Sequence, residues 1–238
     1  MLGSDAHADP HPGPLAVPFR ICGITRSKMN PNICTICERS FRYVKKQRHI
    51  SATATIMFAD IRGYTHLSER MDAIVLSDIV SAFQDQCAEA IWAHDGIVNK
   101  QMGDGLMAIF NFPIKVEHHA AAAIAAAIDI QRRCASVLED MKRRGAALPI
   151  DALGVGVGVH TGQVEIGEFS TFRSDFTAIG RTVNLTARLE SQATAGEILV
   201  SAEAAAGAQK LMASAASRLL VLKGIGHPVL AHVLSSTD

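Results

Sequence analysis

From Ser51 onward the apolar residues alternate between two textures: short unbroken runs, and longer stretches where they recur every three or four positions. The first run is Thr55-Ile56-Met57-Phe58-Ala59, whose β-branched and aromatic members predict a buried strand. Asp60 follows at once, and Gly63 and Thr65 supply a tight turn and a helix cap. A carboxylate is thereby delivered to the end of a buried strand, either as a hydrogen-bonded turn residue or as a ligand. Leu67, Met71, Ile74, Val75, Ile79, Val80 and Phe83 then recur at helical spacing and continue through Cys87 and Ile91. They predict one long amphipathic helix that stops near Asp95-Gly96. Its apolar stripe is wider at the start than one sheet face needs, which leaves core packing and a partner surface both open.

Residues 97–102 and 106–110 flank Gly103-Asp104-Gly105, a strong hairpin signal that places a second carboxylate at a turn. Residues 118–144 form an alanine-rich helix with basic residues in its last turn, where the helix dipole favours them. His118 and His119 at its start have no companion at metal spacing and read as solvated. Gly145 and Pro149 break the helix. In residues 152–160 Gly alternates with Val, so this strand invites another backbone against it, and Thr161-Gly162 turns it into a further strand at 164–169. A short strand at 176–179 precedes a helix opened by Gly180, running from Arg181 to about Gln192. A strand at 198–200, a short helix at 202–208 and a last hairpin around Lys223-Gly224-Ile225-Gly226 complete the chain. The order strand, helix, hairpin, helix, strand, then additions predicts an α+β fold with a βαββαβ core.

The region before Ser51 differs. Residues 1–20 are rich in Pro, His, Ala and Gly without periodicity and read as a disordered arm. Cys22, Cys34 and Cys37 follow, then a basic patch of Arg42, Lys45, Lys46 and Arg48. The Cys34-x-x-Cys37 pair, with Cys22 and His49, is open to three readings: reduced thiols, a Zn²⁺ or iron–sulfur site, or a redox switch. The chain therefore divides into an N-terminal segment, 1–50, and a compact domain, 51–238. Lys+Arg and Asp+Glu both count 23, so no net charge recommends nucleic acid or an acidic membrane as partner. No apolar run approaches the ~20 residues of a membrane span, and the first residues lack the order of a signal peptide, so a cytoplasmic location is expected. Five cysteines, with Cys87 and Cys134 inside helical patterns, argue against a disulfide framework.

Two carboxylates, Asp60 and Asp104, at the ends of neighbouring strands are a natural site for two divalent ions. Mg²⁺ takes oxygen ligands and is commonly held by one or two carboxylates plus substrate phosphates. Paired ions clamp the attacking and leaving oxygens of an in-line displacement at phosphorus, and cations such as Arg188 and Lys223 would meet the non-bridging charge.

Five ordered blocks carry a resemblance: FADIRGYT (58–65), KQMGDGLMAIF (100–110), GVHTGQVEIG (158–167), FTAIGRTVNLTARLE (176–190) and LKG (222–224). Together they resemble the class III nucleotide cyclase catalytic domain. The resemblance implies a ferredoxin-like core with additional strands and helices, and an adenylate cyclase making 3′,5′-cyclic AMP from ATP with two Mg²⁺ or Mn²⁺ ions per site. Asp60, Asp104 and the Ile61 carbonyl match the metal ligands, and Lys100 and Thr177 the two base-selecting positions. Asn184 matches the ribose-orienting asparagine, Arg188 the arginine that stabilises the transition state, and Lys223 the lysine on the terminal phosphates. Lys100 is donor-only and suits adenine N1, while Thr177 can accept from N6. Guanylate-specific members carry an acidic residue at the lysine position. The Lys/Thr pair resembles a subgroup associated with bicarbonate stimulation. The resemblance also implies a C2 homodimer with two shared sites, the metal aspartates coming from one protomer and the nucleotide-binding residues from its partner. Residues 168–175 depart from the glycine-bearing connection usual in the family, and Arg181 stands where many relatives carry Asp.

Overall fold

The computed structural model describes residues 25–27, 29–36, 38, 50–69, 71–143, 153–169 and 176–235. Among the described residues eight strands form one sheet: β1 (Ile50–Arg62), β2 (Ile97–Met102), β3 (Gly105–Phe110), β4 (Gly154–Glu168), β5 (Phe176–Ile179), β6 (Glu197–Ser201), β7 (Ala216–Leu220) and β8 (Val229–Ser235). Its order is β2-β3-β1-β4-β6-β8-β7, with β5 paired to β4. The first four strands are antiparallel neighbours in the order expected of a βαββαβ core, and β6 adds to β4 in parallel. Among the described residues five named helices accompany the sheet: α1 (Tyr64–Ser68), α2 (Ala73–Ala93), α3 (His119–Arg143), α4 (Arg181–Glu190) and α5 (Ala202–Ala206).

The unbroken apolar run in β1 has a simple cause: both faces of this central strand are covered. Met57, Ala59 and Ile61 pack with Phe83, Ile91, Ile124 and Ile130 of α2 and α3. Ala54, Ile56 and Phe58 point the other way, into a cluster that includes Ile109, Val164 and Ile166 with Val183 and Ala187 of α4. With a side-chain period of two, Asp60 belongs to the second face, the one α4 covers. Gly158 makes the close approach of α4 possible, since a Cβ there would stand 2.7 Å from the Thr186 carbonyl oxygen. The alternating Gly-Val pattern therefore does mark a backbone contact.

Four local expectations change. The single long helix is two: Asp72 caps α2 by accepting from the Ile74 N–H at 2.8 Å, which separates it from α1. Gly63, at φ 83°, occupies the N-cap of α1, so Thr65 lies inside that helix rather than capping it. Thr161-Gly162 is no turn; β4 runs straight through it, paired with β1 from Ile50↔Ile166 to Arg62↔Gly154. Gly162 instead leaves room for the Thr182 hydroxyl, which donates to the Gln163 carbonyl at 2.7 Å. His118 is exposed, but His119 is half-buried, with Nδ1 2.7 Å from the Thr55 hydroxyl, and burial lowers its pKa. At the start of α2, Ile74 and Val75 are exposed and so take no part in the core.

Part of the N-terminal segment is tied to the domain. The Met29 carbonyl accepts from the Trp92 indole at 2.7 Å and the Val98 N–H at 3.0 Å, and the Asn30 amide donates to the Gly96 carbonyl at 2.8 Å. Cys34 is half-buried within it, and Cys87 and Cys134 are free, buried thiols. Residues 1–20, expected above to be a disordered arm, lie outside the described residues, as do Cys22, Cys37, His49, the basic patch and residues 170–175. No described helix is long and apolar enough to cross a membrane.

Candidate active site

β1 and the β2–β3 hairpin bring the two carboxylates together. Asp60 sits opposite Gly105 in the ladder, where a Cβ would stand only 3.1 Å from Asp60 Oδ1. Asp60 and Asp104 share a cavity of about 110 Å³ with Phe58, Met102 and Glu190. The Ile61 N–H donates to Asp60 Oδ1 at 3.0 Å, and Arg62 Nη1 lies 3.7 Å from Oδ2. Arg62 Nη2 donates to both the Glu190 carbonyl and its carboxylate, joining β1 to the end of α4. Burial and then the nearby Asp104 charge raise the pKa of Asp60, with Arg62 opposing them. Burial likewise raises Glu190, against the pull of Arg62.

Two crowded carboxylates are an oxygen donor set that fits Mg²⁺ or Mn²⁺, and a divalent charge would relieve the repulsion at Asp60. Among the described residues no group of three or more His, Cys, Asp or Glu is placed to hold a metal. The remaining ligands at Asp60 and Asp104 would thus come from backbone, water or substrate. Nothing in the described residues supports a metal at the cysteines.

The other matched residues gather elsewhere. Asn184 and Arg188, one turn apart on α4, line a cavity of about 550 Å³ with His160, Arg181, Gly224 and His227. The Lys223-Gly224 turn lies beside Arg188, since a Cβ on Gly224 would stand 3.5 Å from Arg188 Nη2. His160 Nδ1 is 2.7 Å from the Ser201 hydroxyl and 3.5 Å from Glu203, and burial lowers its pKa against the pull of that carboxylate. Lys100 follows an irregularity in β2: Val98 pairs with Ala108 and Lys100 with Met107, leaving Asn99 out of the ladder. The Thr177 hydroxyl on β5 donates to Asn99 Oδ1 at 3.1 Å, and Asn99 Nδ2 donates to the Phe176 carbonyl at 2.8 Å.

The expected residues thus fall into sets rather than one site. Asp60 and Asp104 line one cavity, Asn184 and Arg188 another. Sequence reasoning missed Arg62, Glu190 and Asn99. A weak signal for the first was present in Gly156, across the ladder from Asp60, where the Arg62 guanidinium fills the space a Cβ would take. Asn99 had none, because its partner lies 78 positions away.

Comparison with known proteins shows which family and fold the chain resembles. The family model of the adenylate and guanylate cyclase catalytic domain matches residues 44–235. An adenylate cyclase of Anabaena cylindrica is 32% identical over 137 residues, 57% of this chain and 26% of that protein. Adenylate cyclase 1 of Rhizobium meliloti is 31% identical over 137 residues, 57% of this chain and 20% of that protein. The chain thus matches about a quarter or less of those relatives' length. The adenylyl cyclase CyaB from P. aeruginosa superposes with a TM-score of 0.72 at 30% identity, covering 79% of this chain and 97% of that one. The guanylyl cyclase Cya2 does so with the same TM-score, 0.72, at 27% identity, covering 78% and 92%.

Proposed function

This chain belongs to the adenylate and guanylate cyclase catalytic domain family, and from that premise we propose that it closes ATP to 3′,5′-cyclic AMP and pyrophosphate at sites shared by two copies of the chain. The observation that carries this reading is the division of the chemical groups between two cavities of one protomer. Each set is incomplete alone. A two-fold dimer that sets the Asp60–Asp104 cavity of one copy against the α4 cavity of the other makes two whole sites. The exposed Ile74 and Val75 at the start of α2, with Met102 and Ile179, offer apolar surface for such a contact.

Divalent cations held by Asp60, Asp104 and the Ile61 carbonyl would supply Lewis acidity toward the ribose 3′-hydroxyl and the phosphates. The chain's own groups do the rest. Asn184 orients the ribose so that the 3′-oxygen lies in line with the α-phosphorus. Arg188 meets charge developing on the non-bridging oxygens, and Lys223, on the turn beside it, neutralises the leaving pyrophosphate. Lys100 donates to adenine N1, and Thr177 accepts from the exocyclic amino group. Lys100 favours adenine over guanine, whose N1 is itself a donor. The product is a diffusible signal made in the cytoplasm.

Incubation of purified protein with ATP or GTP and Mg²⁺ or Mn²⁺, with products separated by chromatography, tests the reaction. Cyclic AMP from ATP is expected; cyclic GMP from GTP as the sole product would assign a guanylate cyclase, and no cyclic product a regulatory module. Asp60→Ala and Arg188→Ala are each expected to be nearly inactive and to regain activity on mixing. Failure to complement between dimers shown to exchange subunits would exclude shared sites. Bicarbonate at constant pH is expected to raise turnover, and an unchanged rate removes that mode of regulation.

A further inference from the structure

Thr177 can discriminate between purines only if its hydroxyl presents a defined polarity, because a freely rotating hydroxyl donates as readily as it accepts. Its surroundings decide that polarity. The Phe176 carbonyl has no proton to give, so the side-chain group facing it at 2.8 Å must be the NH₂ of Asn99. Asn99 is thereby locked against an amide flip, and its Oδ1 is turned toward Thr177. That oxygen also has no proton, so the contact at 3.1 Å requires Thr177 to be the donor. The hydroxyl's other partner among the described residues, the Ala178 carbonyl at 3.3 Å, is an acceptor too. Every hydrogen-bond partner of Thr177 Oγ1 among the described residues therefore draws its proton inward and leaves its lone pairs for whatever docks against it.

We propose that Asn99 is a specificity-determining positioning residue, which fixes the Thr177 hydroxyl as an acceptor and so selects adenine over guanine. This rests on the reading above that Thr177 meets the purine edge. The adenine amino group brings a proton to an acceptor. Guanine brings a carbonyl oxygen, and two acceptors would face each other in a site where Thr177 is only 8% exposed, with no proton between them. The irregularity in β2 is what makes Asn99 available. Left out of the β2–β3 ladder between Val98 and Lys100, it is free to reach β5, next to the lysine expected to read the same base.

The test is kcat/KM for ATP and for GTP with wild type, Asn99→Ala, Asn99→Leu (close to Asn in shape), Thr177→Val and the Asn99→Ala, Thr177→Val double variant. Without Asn99 the hydroxyl can rotate and donate to guanine, so the ATP:GTP ratio is expected to fall about tenfold or more in both Asn99 variants. Thr177→Val lowers the ratio similarly, and the double variant falls no further, because Asn99 acts only through that hydroxyl. Purine riboside triphosphate, which lacks the amino group, supplies the readout that a merely structural role would not move. Its disadvantage against ATP shrinks in the Asn99 variants. An unchanged ratio in either Asn99 variant that retains the fold, or a double variant losing the product of the two single effects, overturns the role of Asn99 and leaves the adenylate reading standing. A wild type that favours GTP overturns the adenylate reading itself, and Asn99's role with it.

Discussion

Arg62 offers a measurable consequence of how β1 meets α4. Its guanidinium stands between Asp60 and Glu190, and its side chain is 23% exposed while that of Glu190 is 13% exposed. A fully buried pair broken on one side costs about 3–5 kcal/mol, and an exposed one less than about 1 kcal/mol. A partly buried link made to both a carboxylate and a backbone carbonyl falls between these, at about 2 kcal/mol. Arg62→Met, which keeps an apolar stem, should lose that amount at pH 7. Adding Glu190→Gln should recover half or more, because the stranded charge rather than the missing contact dominates the loss. The pH dependence has a definite sign. Glu190 is already raised in the fold, and removing Arg62 raises it further. A group raised on folding contributes stability that is complete below its unfolded pKa and is lost as pH rises through the folded value. The deficit of Arg62→Met should therefore be larger at pH 7 than at pH 5. Urea unfolding at fixed protein concentration, followed by the fluorescence of the single tryptophan, Trp92, reads it directly. A deficit below about 0.5 kcal/mol, or no recovery in the double variant, refutes the argument.

Gly158→Ala should cost about 3 kcal/mol by pushing a methyl into the Thr186 carbonyl, a backbone atom that cannot step aside; equal melting temperatures for wild type and variant would contradict this packing. Glu197 is held down from 4.5 to about 2 by its hydrogen bonds from Arg218, so the stability it contributes is complete above pH 4.5 and disappears as pH falls toward 2. Arg218→Ala should lose about 1 kcal/mol, discounted for the half-exposed arginine, above pH 5 and nothing near pH 2, as measured by melting across that range.

The sequence alone settled the α+β class, the order of the core elements and the blocks that identify the family. Periodicity and turn chemistry are local properties, legible in any short window. Gly-Asp-Gly predicts the β2–β3 hairpin, and the alternating glycines of β4 predict a backbone pressed against it, as Thr186 and Glu190 of α4 are. At two places where windows failed, a long-range partner had intervened. Thr161-Gly162 is extended because β1 pairs through it, and His119 is drawn inward by Thr55, 64 positions earlier. The continuous apolar stripe hid the break before α2, which an aspartate cap made.

Only the tertiary structure decided how the chemistry is divided. Asp60, Asp104, Asn184 and Arg188 are all readable as functional types, but no spacing says that the first two and the last two face different cavities of one protomer. That follows from strand order and from which face of β1 each element covers, and both are set by burying two apolar faces at once. The polarity of Thr177 is the extreme case. The residue type allows the hydroxyl to donate or accept, and only Asn99, Phe176 and Ala178, brought around it by the fold, fix where its proton goes.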